Sequence, residues 1–201
     1  MQKLLKPLVF LLALVPAGYL GYRTYTNDLG VNPAETLQLE TGEWALKFLI
    51  ITLAVTPVRR LTGWNRVIQF RRMLGLFAFF YACLHFLTYI VLDKYFAFGE
   101  MMADVLKRPF ITAGFVAFVA MVPLAITSTK GWIRRLGRRW QVLHRLIYVS
   151  GAAAAVHFVW KVKVVIGEPI YYALAIALLL GFRVVLQLKS AKSLRAHRVS
   201  A

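Results

Sequence analysis

The sequence predicts an all-α integral membrane protein, built as a bundle of six transmembrane helices. Apolar residues make up 60% of the 201 positions, against 45–50% in soluble domains. Only 16% of the residues are charged, and the mean hydropathy is +0.64. Six helical spans of about 20 residues would occupy roughly 120 positions, which leaves no room for a soluble domain of ordinary size. We therefore expect residues 1–201 to form a single transmembrane domain.

Six apolar stretches, each bounded by charge or by proline and glycine, carry this prediction. The second is short, and we expect it to end at Pro57, before two arginines. The first follows two lysines, as a signal peptide would, but Tyr19, Tyr22 and Tyr25 are typical of an interfacial belt and favour a retained span. The predicted spans are roughly 7–25, 42–58, 73–92, 109–127, 141–160 and 169–188.

The charges divide between the two sides of this bundle. If the spans alternate, one side carries 18 of the 25 lysines and arginines, and the other carries all 8 acidic residues. The positive-inside rule then places both termini in the cytoplasm. The net charge of +17 is thus explained by topology and by attraction to anionic membrane lipids, without a nucleic-acid partner. A single cysteine, Cys83, excludes an intrachain disulfide and a multi-cysteine metal site.

Histidines are the candidate functional groups inside the membrane. At about 1.5 Å per residue, His85 lies roughly 20 Å beyond Arg72 and His157 about 27 Å beyond Arg139. Both helices run outward, so these two histidines share the outer half of the membrane. His144 lies only about 7 Å in, near the inner face.

Two neutral imidazoles on facing helices are suitable axial ligands for haem iron. The alternative is that each of the two, His85 and His157, merely hydrogen-bonds a neighbouring helix. We expect no acidic residue mid-span and no other ionisable group at this level, which favours ligation and argues against a transporter. Gly151 and the run Ala152–Ala155 would leave space for a macrocycle, or would simply allow close helix packing.

His144 requires a separate interpretation. It precedes His157 by 13 residues, and an ideal helix rotates the two about 140° apart. Either Gly151 marks a distortion, or the two histidines have different roles. About 13 residues before His85, the third span has Arg71 and Arg72, and neither is a haem ligand. The residues present therefore do not support a second bis-histidine haem.

A basic and aromatic cluster surrounds His144 at the inner face. Arginine binds phosphate in bidentate fashion, and tryptophan stacks on planar rings. A phosphorylated planar cofactor such as FMN, or a quinone headgroup at His144, would fit there. Positive-inside arginines and an aromatic belt would explain the same residues without a ligand. The residues concerned include Arg71, Arg72, Arg139 and Trp140.

Several stretches resemble a known family. The sequence is similar to the haem-binding membrane subunits of bacterial methionine sulfoxide reductase systems. These belong to the wider ferric-reductase-like transmembrane superfamily, alongside NADPH oxidases. The resemblance covers nearly the whole chain and is carried by the stretches 41–46, 56–60, 71–75, 81–85, 126–128 and 140–148.

This resemblance implies a b-type haem protein of the bacterial inner membrane. It would pass electrons from the quinone pool, or from a cytosolic flavin reductase, to the periplasmic molybdopterin enzyme MsrP, which repairs oxidised methionines in envelope proteins. The family is also associated with FMN. His85, His144 and His157 match its histidines, and the haem role falls first to His85 and His157. The chain would be an electron-transfer subunit with no catalytic residues of its own.

Two departures from the superfamily leave other functions open. Larger relatives carry two histidines on each of two helices, and a flavin and nicotinamide domain after the last span. Only about 13 residues follow Leu188 here, so we expect this chain not to bind NADPH itself. One alternative is a stand-alone ferric or flavin reductase with a small-molecule acceptor. Another is a haem-free transporter or assembly factor with structural histidines.

Overall fold

The described part of the chain, residues 2–162 and 168–199 of a computed structural model, folds into helices and turns without a strand. Six stretches within it are long and apolar enough to cross a membrane, which confirms the predicted all-α bundle of six spans. The helices are α1 Gln2–Tyr25, α2 Pro33–Thr62, α3 Arg71–Thr88, α4 Phe98–Lys107, α5 Pro109–Ile126, α6 Lys130–Leu136, α7 Arg138–Leu143, α8 Leu146–Val162 and α9 Glu168–Val199. The six candidate spans are Leu4–Tyr25, Pro33–Thr62, Asn65–Asp93, Pro109–Ile126, Arg138–Lys161 and Pro169–Leu186.

The second span is longer than the sequence suggested. Helix α2 has 30 residues and continues through Pro57 to Thr62, so the prediction of a short span ending at Pro57 is wrong. Proline lacks the N–H that would bond the carbonyl four residues earlier, that of Leu53. The guanidinium of Arg183 on α9 donates to that carbonyl instead, with Nη2 at 3.0 Å from the Leu53 oxygen. The helix therefore tolerates its proline because another helix pairs the freed carbonyl.

The fifth span is two helices rather than one. Helix α7 ends before His144, and α8 begins at Leu146. Backbone hydrogen bonds between residues three positions apart bridge the break, among them the bond from the Tyr148 N–H to the Arg145 carbonyl at 2.9 Å. The alternative of a helix distortion at Gly151 is wrong, because Gly151 lies inside α8.

A tyrosine joins α1 to the rest of the bundle. The buried Tyr81 hydroxyl on α3 donates to the Ala13 carbonyl at 2.8 Å and accepts from the Ala17 N–H at 3.1 Å. These two backbone groups would bond each other in a regular helix, so the hydroxyl is inserted into the α1 ladder next to Pro16. Tyr81 also stacks on Phe48 of α2, with ring centres 5.2 Å apart.

Two antiparallel helix pairs position the site. Helix α2 packs mainly against α3, and α5 packs mainly against α8, while α9 lies against both α8 and α2. The beginnings of α2 and α5 therefore lie beside the ends of α3 and α8. Gly151 allows close packing of α8 on α9, because an added Cβ would lie 3.5 Å from a Leu180 methyl group.

Candidate functional site

The two predicted outer histidines meet in the interior of the bundle. His85 lies near the end of α3 and His157 lies on α8, and their ring centres are 6.1 Å apart with planes inclined by 71°. His85 Nδ1 lies 2.8 Å from the carbonyl oxygen of Gln38 on α2. His157 Nδ1 lies 2.6 Å from the carbonyl oxygen of Phe110 on α5. Since a carbonyl only accepts, each Nδ1 carries the proton, and each neutral ring keeps its Nε2 lone pair free for a metal.

A glycine lies against each imidazole. A Cβ added at Gly42 would lie 2.9 Å from His85 Nδ1, and one added at Gly114 would lie 2.7 Å from His157 Nδ1. Real Cβ atoms do not approach so closely, so any larger residue would displace the ring or the helix that carries it. Each glycine lies four residues, one helical turn, after the residue whose carbonyl accepts from the imidazole. Sequence reasoning missed both glycines and both carbonyls.

The two halves of the site repeat each other along the chain. Gln38, Gly42 and His85 correspond to Phe110, Gly114 and His157 at a constant offset of 72 residues. Each set uses a helix beginning to hold a histidine that comes 47 residues later. This spacing was available in the sequence, but the side chains at 38 and 110 share no chemistry, because only their carbonyls take part.

The paired imidazoles have the spacing that haem requires. Two metal–nitrogen bonds of about 2 Å each, extended to the ring centres, separate two axial imidazoles by about 6 Å. Within residues 2–162 and 168–199, no group of three or more histidine, cysteine or acidic side chains could hold a metal. A metal bound between His85 and His157 would therefore need its remaining ligands from a macrocycle, as haem iron does. The residues present fit haem.

An ion pair lies close to this level, one residue beyond Gly42 on α2. Because α2 begins at Pro33, Glu43 lies inside the second span, where Lys47 Nζ is 2.9 Å from its Oε1. The hydroxyl of Tyr172 on α9 donates to the same oxygen at 3.1 Å. Pairing compensates the cost of burying these charges in part.

His144 lies at the opposite end of the bundle. Its Nε2 is 3.1 Å from the Thr127 hydroxyl, which itself donates to the Pro123 carbonyl at 2.6 Å. The hydroxyl proton is thus used, so His144 Nε2 donates, and the free lone pair of the ring lies on Nδ1. Trp140 stacks on His144 with ring centres 3.8 Å apart. Its indole N–H donates to the Thr127 carbonyl at 2.9 Å.

The arginines predicted around His144 occupy different environments. Arg71 is half-buried at the start of α3, and its charge acts on the His144 ring. Arg72 and Arg139 are exposed. The structure thus brings Arg71, Trp140 and His144 into one neighbourhood, and their contact with a flavin or a quinone stays a prediction.

A polar network closes the histidine end of the bundle. Asp104 of α4 pairs with Lys94 at 2.6 Å and with Arg108 at 3.2 Å, and it accepts from the Tyr89 hydroxyl at 3.3 Å. Tyr89 follows His85 by one turn, and Arg108 immediately precedes α5, which begins at Pro109 and carries Phe110 and Gly114. The Asp104 carboxylate therefore links the two halves of the site. The hydrogen bond from Lys94 is the main cause that lowers the pKa of Asp104, and neighbouring positive charges add to it.

The fold and the site together define a polytopic membrane protein with a paired-histidine centre at one end of its bundle. Residues 41–155 match the family described as "Ferric reductase like transmembrane component". The chain is also similar to proteins named "Protein-methionine-sulfoxide reductase heme-binding subunit MsrQ". The relative from Herminiimonas arsenicoxydans is 53% identical over 90% of this chain and 84% of its own length. That from Xanthomonas euvesicatoria is 49% identical over 98% and 90%, respectively.

A third relative of the same name, from Rhodospirillum rubrum, is 46% identical over 94% of this chain and 91% of its own length. The chain therefore belongs to the MsrQ family of ferric-reductase-like transmembrane proteins. No solved structure matches the chain. The resemblance expected from the sequence motifs is thus confirmed.

The Asp104 network generates a first prediction. Asp104→Asn removes the negative charge that holds Lys94 and Arg108, so the amides of α4 should exchange hydrogen faster. In the unsubstituted protein the same loosening should occur as pH falls. Because the folded pKa of Asp104 is lowered, its contribution is complete above the usual carboxyl value of about 3.9 and is lost as pH drops through the folded pKa.

Hydrogen exchange measured by mass spectrometry at several pH values checks this. The exposed Glu100→Gln, on the same helix, is the matched control and should leave α4 unchanged. Equal protection of α4 in Asp104→Asn and in the unsubstituted protein would contradict the bracing role.

Proposed function

We propose that this protein is a transmembrane electron-transfer subunit that holds one haem b between His85 and His157. The observation that carries the proposal is the pair of facing imidazoles, 6.1 Å apart, each fixed by a backbone carbonyl. The names of the relatives, which are heme-binding subunits, support the same cofactor. A haem with two axial histidines supplies reversible one-electron transfer when bound.

Residues of this chain orient the two imidazoles. The carbonyls of Gln38 and Phe110 fix the tautomer of each imidazole, and such outer partners also raise ligand basicity. Gly42 and Gly114 let each ring lie close against the neighbouring helix. The two carbonyls and the two glycines lie on α2 and α5, whereas the histidines lie on α3 and α8. Rigid helices therefore set the ligand geometry, which suits a centre that changes charge but not shape.

The charge distribution supports a direction of transfer. We infer that the basic end is cytoplasmic and the histidine end periplasmic, in the inner membrane of a bacterium. Electrons would come from the quinone pool or from a cytosolic flavin donor, with FMN or a quinone near Arg71, Trp140 and His144. They would leave toward MsrP, the periplasmic molybdopterin reductase that repairs methionine sulfoxide. Acidic residues around the histidine end offer a docking surface for it.

The ligand assignment is tested by substitution. His85→Ala and His157→Ala should each lower haem per chain and remove the low-spin spectrum of bis-imidazole ligation from any haem retained, because only one imidazole would remain to bind the iron. His144→Ala is the matched control, since it lies at the other end of the bundle, and should retain the outer haem. Reduced-minus-oxidised spectra with pyridine haemochrome quantitation measure this. An unchanged spectrum in His157→Ala would contradict the assignment.

The glycines give a finer test. Gly114→Ala should lower haem per chain by about half or more, because catalytic and ligand groups tolerate displacements of only about 0.5 Å. The remaining haem should show an altered low-spin electron paramagnetic resonance signal. Gly18→Ala is the control, since an added Cβ there meets nothing within 4 Å. Normal haem content with an unchanged signal in Gly114→Ala would show that the close contact does not position His157.

The partner is tested by electron transfer. Quinol-reduced protein in lipid vesicles should be reoxidised continuously on addition of MsrP with a methionine sulfoxide substrate, whereas MsrP alone should take up electrons only until its own cofactor is reduced. Stopped-flow absorbance of the haem bands measures the rate. A ferric chelate added without MsrP is the comparison. If the chelate alone sustains turnover, the protein is a stand-alone reductase, and the role as a subunit is wrong.

A further inference from the structure

Helix α4 exposes a stripe of apolar residues at the histidine end of the bundle. Phe98, Met102 and Leu106 follow one another at four-residue intervals, so they lie on one face of the helix. They are 66%, 57% and 78% exposed, respectively. The exposed aromatic residues Tyr95 and Phe96 directly precede the helix. Apolar residues gathered on an exposed surface mark a contact with another protein or with a membrane.

The polar residues of α4 lie on a different side from this stripe. Glu100 and Lys107 are exposed as well. An α-helix turns about 100° per residue, which places both roughly 150° around α4 from the centre of the stripe. Met101, Asp104 and Val105 are half-buried and lie on the remaining side, where α4 packs against α5. The helix thus has an apolar side, a polar side and a side against the bundle.

Both ends of α4 are attached to membrane spans. The preceding span ends at Asp93, and the following span begins at Pro109. Residues 94–97 lead into α4, and only Arg108 separates it from α5. A helix of this length, 10 residues, extends about 15 Å. Because both of its ends are held near the same boundary of the membrane, α4 runs along that boundary instead of projecting from it.

A sharp turn directs the chain from the third span into α4. Tyr95 and Phe96 have φ values of 46° and 63°, a left-handed conformation that is uncommon for bulky residues. The Phe96 N–H donates to the Ile90 carbonyl at 3.0 Å, and the Phe98 N–H donates to the Phe96 carbonyl at 2.8 Å. Both aromatic residues are exposed at this turn, and tyrosine is enriched where a membrane meets water.

We propose that α4 is an interfacial helix whose apolar stripe enters the acyl-chain region of the phospholipids at the histidine end. Glu100 and Lys107 would then face water. A helix with one apolar and one polar face binds in the plane of a membrane interface. The cations Lys107 and Arg108 at its end suit the phosphates of the lipid headgroups. The inference goes beyond the proposed function and does not depend on which cofactor the histidines hold.

The position of α4 favours lipid over a protein partner. A soluble partner approaches from water and would meet the side of α4 that carries Glu100 and Lys107. The bundle occupies the side that carries Asp104, whose carboxylate is held by Lys94 and Arg108. With α4 lying along the boundary, the side that carries the apolar stripe faces lipid.

This contact would also fix the depth of the histidine pair. Asp104 of α4 accepts from the Tyr89 hydroxyl at 3.3 Å. Tyr89 follows His85 by four residues, or about 6 Å along the helix axis. Binding of α4 to the interface therefore places His85 about one helical turn below the membrane boundary.

Site-directed labelling tests the proposal in the full-length protein. Cys83→Ser removes the native thiol, and the fluorophore NBD is attached to one introduced cysteine in nanodiscs of phosphatidylethanolamine and phosphatidylglycerol. Met102→Cys and Leu106→Cys place the label on the apolar stripe. Glu100→Cys and Lys107→Cys are the matched controls on the polar side. The ratio of quenching by doxyl-labelled lipid to quenching by aqueous iodide should be severalfold higher on the stripe than at the controls.

A pair of double variants tests whether lipid stabilises α4. Met102→Gln combined with Leu106→Gln replaces apolar side chains that would lie in lipid, so the amides of α4 should exchange hydrogen severalfold faster in nanodiscs. Glu100→Gln combined with Lys107→Gln introduces the same residue on the polar side and should leave the exchange unchanged. Far-ultraviolet circular dichroism of each variant shows whether the bundle is folded.

Three results would overturn the proposal. Equal quenching by iodide at all four labelled positions would place the stripe in water, where a protein partner could bind it. Equal quenching by lipid at all four would place the whole helix inside the bilayer. Unchanged exchange of α4 in Met102→Gln with Leu106→Gln would show that lipid does not hold the helix.

Discussion

The structure depends on one constraint: a polar side chain inside a bilayer has no water to bind and must find its partner within the protein. Here the partner is repeatedly a backbone carbonyl. The imidazoles of His85 and His157 each donate to one, and so does the hydroxyl of Tyr81. Arg183 donates to two. Each of these bonds crosses from one helix to another, so the polar groups that serve the site also determine how the helices are arranged.

The same constraint explains the symmetry of the histidine site. A carbonyl in the middle of a helix is already bonded to an N–H four residues later, but it retains a second lone pair for a close neighbour. Reaching that lone pair requires the imidazole to lie against the helix surface, and Gly42 and Gly114 provide the space. The recurrence of this solution at an offset of 72 residues gives the site two equivalent halves. Equivalent halves suit a ligand that binds symmetrically above and below a plane.

Hydropathy predicted the six spans. The two histidines were identified because ionisable residues inside a predicted span are candidates for function. The sequence did not predict the features that depend on backbone geometry. The side-chain pattern contains no signal for the carbonyls of Gln38 and Phe110. A proline usually predicts the end of a helix. Pro57 does not end α2, since Arg183 on a distant helix pairs the freed carbonyl. Because the predicted span began at residue 42, Glu43 was placed at its edge, whereas α2 begins at Pro33.

Charge is distributed along the bundle in a way that gives its two ends different chemistry. At the histidine end, cations and carboxylates are paired, as in the contacts of Asp104 with Lys94 and of Glu43 with Lys47. Among the described residues, neither Arg71 nor Arg183 at the other end forms an ion pair with a carboxylate. The histidine end thus presents two facing imidazoles beside these paired charges. The two ends of the bundle therefore differ in the charge that they offer to a bound group, since carboxylates compensate the cations of the histidine end and not those near Arg71.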